Sequence, residues 1–209
     1  MPVPSDLDHL VYAVPDLAGG VAAVAALLGI APSPGGPHPG LGTRNFLVSL
    51  GESCYLEIIG PDPEQPEPAR PRPFGLDRLT GGRLITWAIH DHGLERRVEG
   101  ARAKGFDPGP ILPMSRQSPA GLIEWRLTLR PEPGGDGLVP FVIDWGKTPS
   151  PATTSARGCT LRALRAEHPD PASVQAMLGA LGVELEVARG AAPVLVARIA
   201  TPRGEVELR

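Results

Sequence analysis

The chain has 209 residues, 42% of them hydrophobic and 21% charged, with a formal net charge of −3. That length holds one large domain or two small ones with a buried core, and the composition is that of a soluble globular protein. The mild acidity and the lack of a basic run argue against a nucleic-acid partner, and no apolar stretch is long enough to span a membrane.

In chain order, Asp8-His9-Leu10-Val11-Tyr12-Ala13-Val14 predicts a strand that Pro15-Asp16 breaks. Val21, Val24, Leu27 and Leu28 then form an apolar stripe at helical spacing, stopped by Gly29. Pro32 to Gly42 reads as a Pro/Gly loop. Strands follow over Arg44–Leu50 and Cys54–Ile59, separated by a Gly51-Glu52-Ser53 turn. The proline-rich stretch Pro61 to Pro73 reads as an extended connector. A second unit starts with a strand over Leu84–Ile89, then His90-Asp91. A helix around Leu94, Val98 and Ala101 closes at Lys104-Gly105-Phe106. Further strands are expected near Ile111, over Ile123–Leu129 and over Val139–Trp145, and Lys147 to Arg157 reads as a linker. The third unit has a strand over Leu161–Ala166, then His168-Pro169-Asp170 and a helix bearing Val174, Met177, Leu178 and Leu181. Gly182 stops that helix, and strands are expected near Glu184–Ala188, Val194–Ala200 and Glu205–Leu208.

One strand–step–helix–glycine layout therefore recurs three times, and repetition of a whole unit is the strongest architectural clue in the chain. Gly and Pro number 26 each, but they fall between apolar runs and act as turn punctuation. Side chains alternate across a strand, so faces can be sorted. In the first unit Leu10, Tyr12, Phe46, Val48, Leu56 and Ile58 share an apolar face, while His9, Asn45, Ser49, Tyr55 and Glu57 share the other. In the second unit the same sorting sets Arg126 and Asp144 apart from Trp125, Leu127, Ile143 and Trp145. The polar faces are expected to turn inward. A buried Glu57 needs a partner, which could be a metal, His9 or an arginine. An inward Arg126 would clamp a substrate carboxylate or phosphate, or else neutralise Glu57, Glu124 or Asp144. His38 reads as a loop residue at the cavity mouth.

The stretch from Asp8 to Leu17 resembles the opening of a vicinal-oxygen-chelate, or glyoxalase-like, domain. The segments His38 to Asn45, Cys54 to Asp62 (with its Tyr-Leu-Glu-Ile strand) and Phe141 to Gly146 strengthen the likeness. It covers roughly Asp6 to Pro151. The resemblance implies an α+β fold in which repeated βαβββ modules form a cupped mixed β-sheet with helices on its outer face. Residues 1–150 would hold two paired modules, about 6–62 and 82–147, with a third βαββ half-module over 151–209. It further implies that His9 and Glu57 bind a divalent metal (Zn, Ni, Mn or Fe), with Glu57 also catalytic and Asp144 the nearest ligand in the second module. Leu84 falls opposite His9 in the second module, so the ligand set is incomplete. His38, Thr43, Asn45 and Arg126 are the expected substrate-binding residues.

Two readings follow. One is a glyoxalase-like protein that binds a small oxygen-rich molecule, with metal-assisted lyase, isomerase or hydrolytic chemistry. The other is a non-catalytic, metal-independent protein that sequesters a small molecule. The third unit is expected to pack against the cup or to pair with its copy in a homodimer. Cys54 and Cys159 lie in separate units, which argues against a disulfide and for a cytoplasmic setting, and neither has a nearby base. Phosphate loops, a G-x-S-x-G elbow and a dinucleotide fingerprint are absent from the sequence. Its start, Met1-Pro2-Val3-Pro4-Ser5-Asp6, has no basic signal-peptide region.

Overall fold

Each apolar run flanked by turn residues becomes a strand, and each unit places a short helix after its first strand. In the computed structural model, which describes residues 3–118 and 121–209, the first unit is β1 (Leu7–Ala13), α1 (Leu17–Leu28), β2 (Ser33–His38), β3 (Thr43–Ser49) and β4 (Tyr55–Pro61). The second is β5 (Arg83–His90), α2 (Leu94–Ala103), β6 (Ile111–Ser118), β7 (Gly121–Thr128) and β8 (Phe141–Asp144). The third is β9 (Thr160–His168), α3 (Pro171–Leu181), β10 (Glu186–Arg189), β11 (Val194–Thr201) and β12 (Gly204–Leu208). The glycine stops behave as the sequence indicates. Gly29 and Gly182 end α1 and α3 in the left-handed conformation, with φ of 71° and 75°. Asp170 caps α3 by accepting from the Ser173 N–H.

The first two units form one eight-stranded sheet in the order β2-β3-β4-β1-β5-β8-β7-β6. In each, the first strand pairs in parallel with the last, β1 with β4 and β5 with β8, and β1 joins β5 antiparallel at the centre. The sheet curls until its edges meet: Arg116 on β6 hydrogen-bonds Asn45 on β3. The result is the cup of paired βαβββ modules, with α1 and α2 outside. One local reading is corrected here. The Pro/Gly stretch 32–42 is not a loop throughout, because residues 33–38 form β2. Its prolines are tolerated because β2 is an edge strand.

The third unit departs from the other two. The three strands read from the sequence after α3 are present, so the unit is βαβββ in content and the βαββ label undercounts it. Its pairing also differs. The order is β10-β9-β11-β12, with β10 parallel and β11 antiparallel to β9, a short crossover followed by a hairpin. Leu164, Ala166, Leu195, Ala197 and Ile199 share one core with Leu10, Leu56, Trp87 and Ile89 on the outer side of the cup. Backbone bonds from Leu161 N–H to the Leu50 carbonyl and from Leu84 N–H to the Arg209 carbonyl, both 2.9 Å, tie the two sheets together. Packing on its own cup is thus the outcome seen. Cys54 and Cys159 are free and buried, and burial pushes the Cys54 thiol up to about 11. No helix among the described residues is long and apolar enough to cross a membrane.

Candidate functional site

Three strands of the first unit set the polar wall of the cup. Glu57 on β4 sits opposite Val11 on β1 and Leu47 on β3, so His9 and Asn45 are its diagonal neighbours on the same face. His9, Asn45 and Glu57 all line one cavity. His9 Nε2 lies 3.7 Å from one Glu57 oxygen, and His38 Nε2 lies 3.6 Å from the other. The imidazole and carboxylate expected to converge therefore do so.

Asn45 is the hub. Its amide nitrogen donates to Glu57 Oε1 at 2.6 Å and approaches His38 Nε2 at 3.2 Å, while its carbonyl accepts from Arg116 Nη1 at 3.2 Å. These contacts fix which end of the amide faces which partner. With Nε2 accepting from Asn45, His38 donates through Nδ1 to Thr43 Oγ1, 2.9 Å away. Burial pushes the His38 pKa below the ordinary imidazole value, which matches a neutral acceptor. His38 is thus a buried β2 residue and not a loop histidine, and Thr43, fully buried, supports it from behind. Glycines make this packing possible. A Cβ at Gly35 would lie 2.1 Å from Asn45 Oδ1, and one at Gly36 would lie 3.1 Å from Arg116 Nη1.

His9 is held from the other side. Its Nδ1 is 2.6 Å from Asp8 Oδ1, and Asp8 Oδ2 accepts from Trp145 Nε1 at 3.0 Å. With Nδ1 turned to Asp8, Nε2 faces Glu57 and the cavity. The ring also stacks on Tyr55, centroids 4.7 Å apart. Burial, aided by the Asp8 charge, pushes the Tyr55 phenol well above its ordinary value, so it remains a phenol at neutral pH.

The second unit supplies the opposite wall, and here two expectations are corrected. Trp125, Leu127, Phe141 and Ile143 face the cavity, whereas Arg126 and Asp144 do not line it. Arg126 pairs across the sheet with Asp144, and Leu127 with Ile143, so one parity choice settles all four. The outer side of β7 is partly open to water. Arg126, 40% exposed, there bridges Asp144 at 2.7 Å and Glu95 on α2. Burial raises the Asp144 pKa, but Arg126, the Gly146 N–H and His92 outweigh it and hold the carboxyl below its ordinary value. Asp144 is therefore a structural ion-pair partner outside the His9–Glu57 cavity. Phe74 completes the apolar wall from the 3₁₀ segment after the proline-rich connector, stacking on Phe141 with centroids 5.8 Å apart. Its φ of 61° is a strained setting for an aromatic residue, on the order of 1–3 kcal/mol, so surrounding packing must hold it there.

The donor set does not fit a resident divalent metal. Among the described residues, no group of three or more His, Cys, Asp or Glu side chains is arranged to hold one. His9 and Glu57 are two donors, but Asn45 occupies one Glu57 oxygen and the His38 nitrogen facing it. Ala88, paired with His9 across the seam, and the inward residues Phe141 and Ile143 offer no ligand atoms. Arg116 adds a fixed positive charge to the same wall, which disfavours a cation.

Asp8, Arg116 and Trp145 belong to the hydrogen-bond network around this wall, and face sorting did not single them out. Asp8 is adjacent to His9 in sequence, which is a usable signal. Arg116 carries none, because its position depends on the sheet curling back on itself.

Two modules paired around such a cup define the vicinal-oxygen-chelate class of fold. A family model described as a glyoxalase-like domain matches residues 7–182, and the chain belongs to that family. A hypothetical protein from Staphylococcus aureus has a similar structure (TM-score 0.67, 13% identity, 97% of this chain and 98% of that one), a likeness of fold alone. The methylmalonyl-CoA epimerase from Mycobacterium tuberculosis is a more distant likeness (TM-score 0.46, 18% identity, 70% of this chain and 93% of that one). No curated protein matches this chain in sequence.

Proposed function

We propose that the chain is a glyoxalase-like protein that binds a small molecule in its cup without a resident metal. The oxygen-bearing head of the ligand sits against His9, Asn45 and Glu57, and its apolar body lies against Trp125, Phe141 and Ile143. The observation that carries this reading is the split polarity of the cavity: hydrogen-bonding groups on one wall, aromatic and aliphatic groups on the other. Within it, His9 Nε2, backed by Asp8, is the atom placed to accept a proton from the ligand. His38 and Thr43 position Asn45, and His38 also lines the cavity. The free, buried cysteines support a reducing, cytoplasmic location.

Native mass spectrometry of the purified protein, before and after chelator treatment, tests the proposal. A co-purified small molecule that survives chelation supports it. Stoichiometric metal, with ligand lost on chelation, would overturn it. A metal-assisted lyase, isomerase or hydrolase is the second reading, favoured by the 3.7 Å approach of His9 to Glu57 inside the cavity. It requires metal in elemental analysis and loss of that metal in His9→Ala.

A further inference from the structure

Arg116 is the one cation that reaches the cavity from the second unit, and it is 7% exposed. Its hydrogen bond goes to the neutral Asn45 carbonyl, and no carboxylate among the described residues lies within ion-pair distance of it. Its Nε is buried with no hydrogen-bond partner. A buried guanidinium lacking both a carboxylate partner and one of its acceptors is costly unless something else supplies them. The Glu57 charge partly offsets that burial, but Glu57 makes no ion pair or hydrogen bond with the guanidinium, its oxygens being turned to Asn45, His38 and His9. Gly36 leaves the space in which the guanidinium lies, a Cβ there falling 3.1 Å from Nη1. Guanidinium presents only donors, in a planar fork that matches a carboxylate. Trp125, a diagonal neighbour of Arg116 on β7, and Phe74 and Phe141 line the same cavity.

Building on the reading of the cup as a ligand site, we propose that Arg116 anchors the carboxylate of a small organic acid whose aromatic or apolar body rests on the opposite wall. The ligand class is thus a monocarboxylate with a flat or apolar body, in preference to a neutral molecule of the same shape. Arg116 is a binding residue and takes no part in bond making.

Phenylacetate and phenylacetamide, which share a body and differ in the charge of the head, are suitable probes. Each is titrated by calorimetry into the full chain and into Arg116→Gln and Arg116→Lys, with thermal melts confirming that the variants fold. The acid is expected to bind about tenfold more tightly than the amide, in line with a charge-assisted contact. Arg116→Gln should abolish that preference, and Arg116→Lys should retain part of it because the charge remains. Equal binding of acid and amide, or a preference that survives in Arg116→Gln, overturns the carboxylate assignment and leaves the cup as a site for neutral ligands. Failure of both probes to bind overturns the cup reading along with it.

Discussion

The two halves of the cup share strand order, parallel first-to-last pairing and a covering helix, yet their inward faces differ in chemistry. In the first half the inward positions carry His9, Asn45 and Glu57; in the second they carry Trp125, Leu127, Phe141 and Ile143. Where the first half buries its polar groups, the second exports them, as the Arg126–Asp144 pair on its outer side shows. Duplicated architecture therefore does not duplicate a site. One half supplies hydrogen-bonding groups and the other supplies contact area, with Arg116 reaching from the second half to Asn45 in the first.

The comparison can be broken by substitution, and the largest effect is expected where both halves and the third unit share one core. Trp87 is fully buried and donates from Nε1 to the Leu138 carbonyl at 2.8 Å. Trp87→Ala should lose about 3–5 kcal/mol in urea denaturation, through the cavity and the orphaned carbonyl. An inward substitution in the polar half should cost less in stability and more in binding. Asn45→Leu leaves Arg116, Glu57 and His38 short of a partner, so about 1–3 kcal/mol is expected together with loss of ligand affinity. Phe141→Leu in the apolar half should cost about 1–1.5 kcal/mol, because an aliphatic group still fills most of the site while the ring contacts with Phe74 and His9 are lost. If the two inward substitutions weaken ligand binding equally, the division of labour is wrong.

Two smaller effects sharpen the account of the polar wall. His38 has a folded pKa below the ordinary value of 6.5, so both states are neutral above that pH. As pH falls below 6.5 the unfolded chain takes up a proton that the native state refuses. Stability should then decline by at most about 1.4 kcal/mol per pH unit until the folded pKa is passed. Chemical denaturation across that range, with His38→Gln as the control, should show a flatter slope in the variant. Trp145→Phe removes one donor to Asp8 and should cost about 1 kcal/mol. It should also shift the His9 ring resonances in NMR spectra, because Asp8 would be free to turn.

Much of the fold is legible in the sequence because it rests on local rules. Gly29 and Gly182 stop helices as only a residue at ease with positive φ can, and the alternation in β1, β3 and β4 places His9, Asn45 and Glu57 on one face. The β2 strand hides behind its prolines, since an edge strand needs fewer backbone donors than an interior one. Arg126 does neutralise Asp144, one of the alternatives read for it, but the inward orientation expected of it fails for a different reason. Alternation says that Arg126 and Trp125 face opposite ways, but not which way is in.

The sequence by itself determined the repeating units and their helix stops, because these follow from periodicity within single segments, while the meeting of His9 with Glu57 is what the family resemblance implies. Tertiary structure alone decided three further matters: the inner side of the second half, the arrival of Arg116 beside Asn45, and the strand pairing of the third unit on the back of the cup. Each depends on which surface is covered by a distant part of the chain, and burial of apolar area is settled only when the whole molecule has closed on itself.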